Sequence, residues 1–228
     1  MRWKKFSGGF RFDPIAKRSP EALVVLLNNF GAGAARLLPV AARWAAAVPT
    51  TAFIALNGVE QFDPLADGSA EPTPLDRIAR RLEPLLEQHL RARRLDPSRL
   101  VLAGFGSGGT LALHMVLWRG LKCAGVLAVG ATLMRPLPRV LSVDCKVRLI
   151  ECVAEGRTDQ TRLRDSVALL RLRDFVALLG TRGIDARGVL LAGSVLSDET
   201  IRHGGAYLVE LVGTAQRGDR LRLDRENA

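Results

Sequence analysis

The sequence of 228 residues contains few of the features that stabilise secreted proteins or anchor membrane proteins. Its three cysteines, Cys123, Cys145 and Cys152, are an odd number and do not make a complete disulfide framework. Two of them lie in strand-like runs, so we expect buried free thiols in a reducing compartment. No apolar stretch reaches the roughly 20 residues of a membrane span, because Arg43 interrupts the best candidate. The first residues also lack the apolar run of a signal peptide. The composition therefore predicts a soluble, cytoplasmic protein.

Aromatic residues are scarce as well, at 5% of the chain, and no motif combines them with basic residues. This disfavours the common RNA-binding modules. The formal net charge is nevertheless +10, and 28 of the 33 cationic residues are arginine. Such a balance is compatible with nucleic acid, acidic lipid or an acidic partner. Acidic residues lie between the arginines, as in the two RLRD segments at 162–165 and 171–174, which favours an ordinary solvated surface. A basic module that binds an acidic partner remains an alternative.

Short apolar runs alternate with amphipathic segments along the chain. This pattern predicts an α/β fold, with a mostly parallel sheet of about six or seven strands flanked by helices. The length suits one domain over residues 1–213, followed by a polar tail over 214–228 that is expected to fray. Pro84 should kink or split the second helix. Strands are predicted at 23–27, 51–56, 100–103, 125–129, 147–150 and 188–191, with a short edge piece at 10–12, and helices at 34–47, 75–94, 108–119, 160–179 and 197–212.

A glycine-rich turn follows the predicted middle strand, in the segment VLAGFGSGGTLAL at 101–113. Gly104, Gly106 and Gly109 fit the dinucleotide-binding pattern G-x-G-x-x-G. That pattern also needs an acidic residue about 20 positions later to hold a ribose. The corresponding segment, AVGAT at 128–132, contains none. Nucleotide binding is therefore disfavoured, and the sequence predicts neither a cofactor nor a metal site.

The same turn fits the nucleophile elbow of a hydrolase, in which small residues lie two positions before and two after the nucleophile. With Ser107 as the nucleophile, the residue two before it would be the bulky Phe105. With Gly106 at the apex, the two positions are Gly104 and Gly108, and both fit. The spacing therefore centres the elbow on Gly106, which has no nucleophilic side chain.

The segment RLVLAGFGSGGTLALHMVLWRG at 99–120 resembles the elbow strand and helix of the phospholipase/carboxylesterase family, which includes acyl-protein thioesterases. That family commonly has G-F-S-Q-G-G at this place, so Gly106 stands for its serine and Ser107 for its glutamine. The segment ALVVLLNNFGAGAARLLPVAARWA at 22–45 is similar to the family's V-V-L-L-H-G-F-G, with Asn28 and Asn29 in place of His-Gly. The segment LDPSRL at 95–100 is also similar. The resemblance implies an α/β-hydrolase fold and extends over residues 22–212.

The resemblance also assigns the other catalytic positions. Glu155 stands at the place of the catalytic acid, in LIECVAE at 149–155, although a surface glutamate explains it equally well. Ser194, in AGSVLSDET at 192–200, stands at the place of the catalytic histidine. The three histidines of the chain are poor substitutes: His114 lies in the elbow helix, His89 is expected to be exposed in a charged helix, and His203 lies within the last helix.

With these replacements, the resemblance implies a degenerate triad on a scaffold that still binds ligands. Its oxyanion hole would use the backbone N–H groups of Phe30 and Ser107, and Asn28 and Asn29 would line the site. We therefore expect a protein that binds a small acyl, ester or carboxylate ligand or a protein partner, and that forms a homodimer, as is common in the family. A low-activity carboxylesterase or thioesterase is the alternative, with a rearranged site that uses Ser107, Ser194 or a water molecule supported by Glu155.

Overall fold

Eight strands form one sheet in the part of the chain that the computed structural model describes, namely residues 3–29, 31–57, 74–134, 136–138, 144–153 and 159–226. The order across the sheet is β1-β2-β4-β3-β5-β6-β7-β8. The strands β1 and β2 form an antiparallel hairpin that also pairs antiparallel with β4, and the other neighbouring pairs are parallel. The strands are β1 Lys4–Phe6, β2 Gly9–Phe12, β3 Ala22–Leu27, β4 Thr51–Leu56, β5 Leu100–Phe105, β6 Gly125–Val129, β7 Lys146–Val153 and β8 Ala186–Ala192.

The central strands consist of continuous apolar runs because both faces of the sheet are covered. All six residues of β3, β4 and β5 are buried. Successive side chains of a strand point to opposite faces. In β3, Leu23, Val25 and Leu27 therefore belong to one half of the core, and Ala22, Val24 and Leu26 to the other.

Five α-helices cover the two faces of the sheet within the described residues. They are α1 Leu38–Ala47, α2 Pro74–Arg91, α3 Ser107–Leu117, α4 Asp159–Gly180 and α5 Asp198–Glu226. Apolar residues of α2, α3 and α4 pack on one face, and those of α1 and α5 on the other. None of the helices in the described ranges is long and apolar enough to cross a membrane.

The predicted fold class is confirmed, and the sheet has eight strands rather than six or seven. The additional strand is β1, which makes β2 an inner strand. Because β1 is short and rich in lysine, it lacks the apolar run that identifies the other strands.

A second difference from the prediction is at Pro84, where α2 continues without a break. Pro84 is exposed, so water can bond the carbonyl that it leaves without an N–H partner. The segment predicted as a fraying tail is helical up to Glu226.

The prediction that His89 is exposed is wrong. The imidazole is half-buried, and its ring lies edge-on to Phe6 of β1, with 5.3 Å between the ring centroids. Burial lowers the pKa of His89, and the charges of Arg93 and Arg11 lower it further. The burial of His89 was not predicted because β1, the strand that covers its ring, was not predicted.

A fully buried arginine near the amino end of β7 connects this strand to the turn before β8 and to α5. Arg148 of β7 is 0% exposed, and its guanidinium contacts both carboxylate oxygens of Asp185 at 3.1 Å. It also donates to Glu210 of α5 at 2.6 and 3.0 Å. Burial alone would lower the pKa of Arg148, but the hydrogen bonds to Glu210 and Asp185 outweigh it and raise the pKa. The same hydrogen bond lowers the pKa of Glu210 to about 2. This arginine is a structural cation and does not belong to the solvated surface predicted for the arginines.

The three cysteines are free thiols. Cys123 and Cys145 are buried, as expected, and lie just before β6 and β7, whereas Cys152, within β7, is half-buried.

Candidate active site

The bend between β5 and α3 lies at the carboxyl edge of the sheet, between β3 and β6. Gly106 forms its apex, with φ 53° and ψ −123°, and is the N-cap residue of α3. This conformation is one that L-residues with side chains rarely adopt. The N–H of Gly106 donates to the carbonyl of Val129 at 2.7 Å, which holds the bend against β6.

The positions two residues before and after Gly106 have no room for a side chain. A Cβ atom on Gly104 would lie 2.5 Å from Cα of Gly109, and one on Gly108 would lie 2.5 Å from the carbonyl oxygen of Asn28. Backbone atoms cannot be displaced cheaply from such contacts. The crowding of an elbow is therefore present, and it is centred on Gly106.

The side chain of Asn29 occupies the space beside the apex. Its Oδ1 accepts the N–H of Ser107 at 2.8 Å and lies 3.4 Å from the hydroxyl of the same serine. A Cβ atom on Gly106 would lie 2.6 Å from Cγ and 2.9 Å from Nδ2 of Asn29, and closer still to Oδ1. Any side chain at position 106 must therefore displace this amide.

Asn28 points into the protein and shapes the loop after β3. It is buried, and its Nδ2 donates to the carbonyl of Gly33 at 3.0 Å. Its Oδ1 accepts the N–H of Asn29 at 2.9 Å, which fixes the start of the loop that presents the Asn29 amide. The predicted oxyanion donor Phe30 lies outside the described residues.

The histidines of the chain are engaged away from the apex. His114 lies on the buried side of α3, where its Nε2 is 2.9 Å from Oδ1 of Asp76 in α2. His203 lies on α5, 3.9 Å from Glu199. His89 packs under the β1–β2 hairpin. Among the described residues, Ser107 therefore has no imidazole as a hydrogen-bond partner.

Ser194 lies in the turn between β8 and α5, directly after Gly193, which has φ 105°. Its carbonyl accepts the hydroxyl of Thr200 and the N–H of Ser197, both at 3.0 Å, while its own side chain is exposed. The next residue, Val195, packs over Gly130 at the end of β6. The structure thus brings this turn to the same edge of the sheet as the elbow, without a described contact between Ser194 and Gly106. Glu155 lies outside the described residues.

A cavity of about 560 Å³ opens beside the elbow, between the ends of β6 and β7 and the middle of α4. It is lined by the segment 130–133 and Ala168, together with the charged residues Glu151, Arg171 and Asp174. Burial raises the pKa of the Glu151 carboxyl, and the charge of Arg171 partly offsets this effect. The cavity therefore presents two carboxyl groups, one guanidinium and a small apolar surface.

The charged residues of this cavity are not recognisable as a group in the sequence, because they come from elements that only the fold brings together. One signal was present in the sequence: Glu151 is a charged residue within β7, directly after the buried Leu149 and Ile150. A charged residue within a strand that is otherwise buried often marks a cavity or a site.

A mostly parallel sheet with helices on both faces, and a sharp strand–turn–helix at its middle strand, define an α/β-hydrolase fold. Residues 15–161, more than half of the chain, match the phospholipase/carboxylesterase family, and the chain belongs to that family. The family predicted from the elbow segment is thereby confirmed. No curated protein sequence matches the chain.

Solved structures of esterases share this fold. The chain is similar to esterase PE8, with 22% identity and a TM-score of 0.70, over 91% of this chain and 100% of that one. It is also similar to a carboxylesterase from Bacillus cereus, with 14% identity and a TM-score of 0.64, over 88% of this chain and 92% of the other. A carboxylesterase from Mesorhizobium loti aligns over 90% and 98%, with 14% identity and a TM-score of 0.63. At these identities the likeness concerns the fold.

Proposed function

We propose that this chain is a catalytically impaired member of its family that binds a ligand or a partner at the elbow edge and does not hydrolyse esters. The observation that carries the proposal is the position of the Asn29 amide, which fills the space beside Gly106 and accepts the N–H of Ser107.

Acyl transfer by a triad needs an activated nucleophile, a base to take its proton and an acid to orient the base. By the family resemblance, Gly106 and Ser194 stand where the nucleophile and the base belong, and neither side chain can do that chemistry. Ser107 has a hydroxyl, and that hydroxyl lies 3.4 Å from the amide oxygen of Asn29. An amide oxygen accepts a hydrogen bond without removing the proton at neutral pH, so it does not activate the hydroxyl.

Stabilisation of an oxyanion is opposed at the same place. Hydrolases of this kind stabilise the tetrahedral intermediate with backbone N–H groups, one of them from the residue after the nucleophile. That residue is Ser107 here, and its N–H is already bonded to Asn29 at 2.8 Å. A substrate oxygen has to displace the amide before it gains this donor.

The two unusual residues of the site complement each other. By the resemblance, the family has glycine at position 29 and serine at position 106, and this chain has asparagine and glycine. In this chain the space at the apex is filled by the side chain of Asn29, from the loop after β3, and not by a side chain from the elbow itself. A reciprocal exchange of this kind supports a site rebuilt for a purpose other than covalent catalysis.

The adjoining cavity supports ligand binding and restricts the class of ligand. Its volume of about 560 Å³ lies in the range typical of small-molecule sites. Two of its three charged groups, Glu151 and Asp174, are carboxyl groups, which disfavours a simple carboxylate. We infer that a neutral acyl compound, such as an ester or an amide with hydrogen-bond donors, fits this cavity better. The free thiols support a cytoplasmic location, where thiols stay reduced.

The test is hydrolysis of p-nitrophenyl acetate by the wild type, by Ser107→Ala, and by the triple variant Asn29→Gly, Gly106→Ser, Ser194→His. The first substitution of the triple variant clears the space that a serine at 106 needs. We expect the wild type and Ser107→Ala to remain at the rate of the buffer. We expect the triple variant to exceed it at least about tenfold, since a nucleophile, a base and an oxyanion donor are then available.

The matched control is a triple variant with Gly106→Ala in place of Gly106→Ser, which keeps every change except the hydroxyl. It should show no gain. Wild-type turnover that disappears in Ser107→Ala would overturn the proposal and establish the low-activity esterase instead.

A further inference from the structure

Helix α4 contains the same eight-residue pattern twice. Residues 163–170 read LRDSVALL and residues 172–179 read LRDFVALL. The repeat distance of nine residues corresponds to about two and a half turns of an α-helix. Equivalent residues of the two copies therefore point to opposite sides of the helix.

The exposures follow this half-turn difference. In the second copy, Leu172, Phe175 and Leu179 are 2%, 0% and 0% exposed, because they pack on the sheet. In the first copy, Leu163 and Leu170, the equivalents of Leu172 and Leu179, are 68% and 57% exposed. We name the row formed by Leu163, Val167 and Leu170 the outer stripe. Val167 is 40% exposed, and nothing in the described fold covers the stripe.

Arginines flank the outer stripe on both sides. The helical period places Arg164 and Arg171 along one flank and Arg173 along the other, and all three are exposed. Asp174 follows one turn beyond Leu170. An aliphatic row with basic side chains at its flanks offers a membrane both an apolar contact and partners for lipid phosphates.

A second copy of the chain is a poor occupant of this face. In a two-fold antiparallel pairing of the helices, each flank would meet the same flank of its partner. Arg164 and Arg171 would then face their own counterparts, in a chain whose net charge is already +10. An anionic bilayer neutralises both flanks at once. It also accepts a convex aliphatic row without a complementary groove, because contact with lipid is not directional.

We propose that the outer stripe of α4 docks on anionic phospholipid membranes as a shallow peripheral contact. Leu163, Val167 and Leu170 enter the interface. The guanidinium groups of Arg164 and Arg173 bind lipid phosphates, whereas Arg171 lines the cavity beside the elbow. Asp174 limits the depth of insertion at the C-terminal end of the stripe. This inference is independent of the state of the elbow and holds whether or not the chain hydrolyses esters.

The test is co-sedimentation with vesicles of phosphatidylcholine alone and of phosphatidylcholine with about 40% phosphatidylglycerol, at low and at high salt. We expect binding to the anionic vesicles at low salt, weakened at least about tenfold by high salt or by omission of the anionic lipid. Leu163→Ser with Leu170→Ser should weaken this binding at least about tenfold. Arg164→Gln with Arg173→Gln should weaken it as well.

The matched control is Val209→Ser, which changes an apolar residue of α5 with similar exposure, 45%. It should leave vesicle binding unchanged. All substituted residues are exposed, so equal thermal unfolding midpoints verify that the variants are folded.

Three results would overturn the proposal. The first is no binding to either vesicle. The second is salt-sensitive binding that the serine variant retains, which would assign the interaction to the overall positive charge. The third is binding of the stripe to another copy, or to a synthetic leucine-rich helix flanked by glutamates, with no binding to vesicles.

Discussion

At the scale of single residues, Gly106 and Asn29 share one small volume, and its occupancy sets what position 106 tolerates. Two features make Gly106 special: its backbone lies at φ 53°, and the Asn29 amide lies where a Cβ atom would be. The two effects can be separated by comparison with Gly120, which has a similar φ of 68°. A Cβ atom on Gly120 would meet no described atom within 4 Å beyond its two chain neighbours.

We expect Gly106→Ala to cost about 2–4 kcal/mol of unfolding free energy, from backbone strain and from the lost hydrogen bond between Asn29 and the N–H of Ser107. Gly120→Ala should cost about 1 kcal/mol, from the backbone alone. Urea denaturation of both variants checks this. Equal losses would show that the amide moves aside freely and that the contact contributes little.

At the scale of elements, the β1–β2 hairpin controls the environment of α2. Phe6 of β1 covers the imidazole of His89, and burial of this ring lowers its pKa below the ordinary value of about 6.5. The unfolded chain therefore binds a proton at His89 at a higher pH than the folded chain does. Stability from this group is present above about pH 6.5 and is lost as the pH falls through the folded-state pKa.

We expect the unfolding midpoint of the wild type to decrease between pH 7 and pH 5, and this decrease to be smaller in His89→Gln. Gln88→Ala, which changes an exposed and non-titrating neighbour on the same helix, is the control and should follow the wild type. Thermal unfolding at several pH values measures the difference. Parallel curves for the wild type and His89→Gln would contradict the assigned burial.

The elements also show which local patterns were informative. The strands of the sheet interior were predictable because burial on both faces requires continuous apolar runs such as ALVVLL of β3. The hairpin strand β1 was not predictable, because its sequence KKF contains no apolar run. The apex at Gly106 was predictable from the spacing of small residues around it. The hydrogen bond between Asn29 and Ser107 was not predictable, because 78 positions separate the two residues in sequence and only the sheet brings them together.

At the scale of the whole molecule, Arg148 connects the sheet to the last helix. Its partners Asp185 and Glu210 come from the turn before β8 and from α5, so the cluster ties the C-terminal part of the fold together. The arginine lowers the pKa of Glu210 to about 2. Stability from Glu210 is therefore complete above about pH 4.5 and is lost as the pH falls towards 2.

We expect Glu210→Gln to destabilise the protein by about 3–5 kcal/mol at pH 7, because it leaves a buried guanidinium with one counter-ion fewer. The variant should also lose less stability than the wild type between pH 4.5 and pH 2. Glu87→Gln removes an exposed carboxylate that pairs with Arg91 and should cost under about 1 kcal/mol. Acid and urea unfolding measure both effects, and similar losses in the two variants would contradict a structural role of Arg148.

The shared space at the elbow couples the effects of substitutions at positions 29 and 106. Because the Asn29 amide lies where a Cβ atom on Gly106 would be, the cost of a side chain at position 106 depends on which residue stands at position 29. Substitutions at the two positions are therefore epistatic, and neither position can be redesigned without regard to the other.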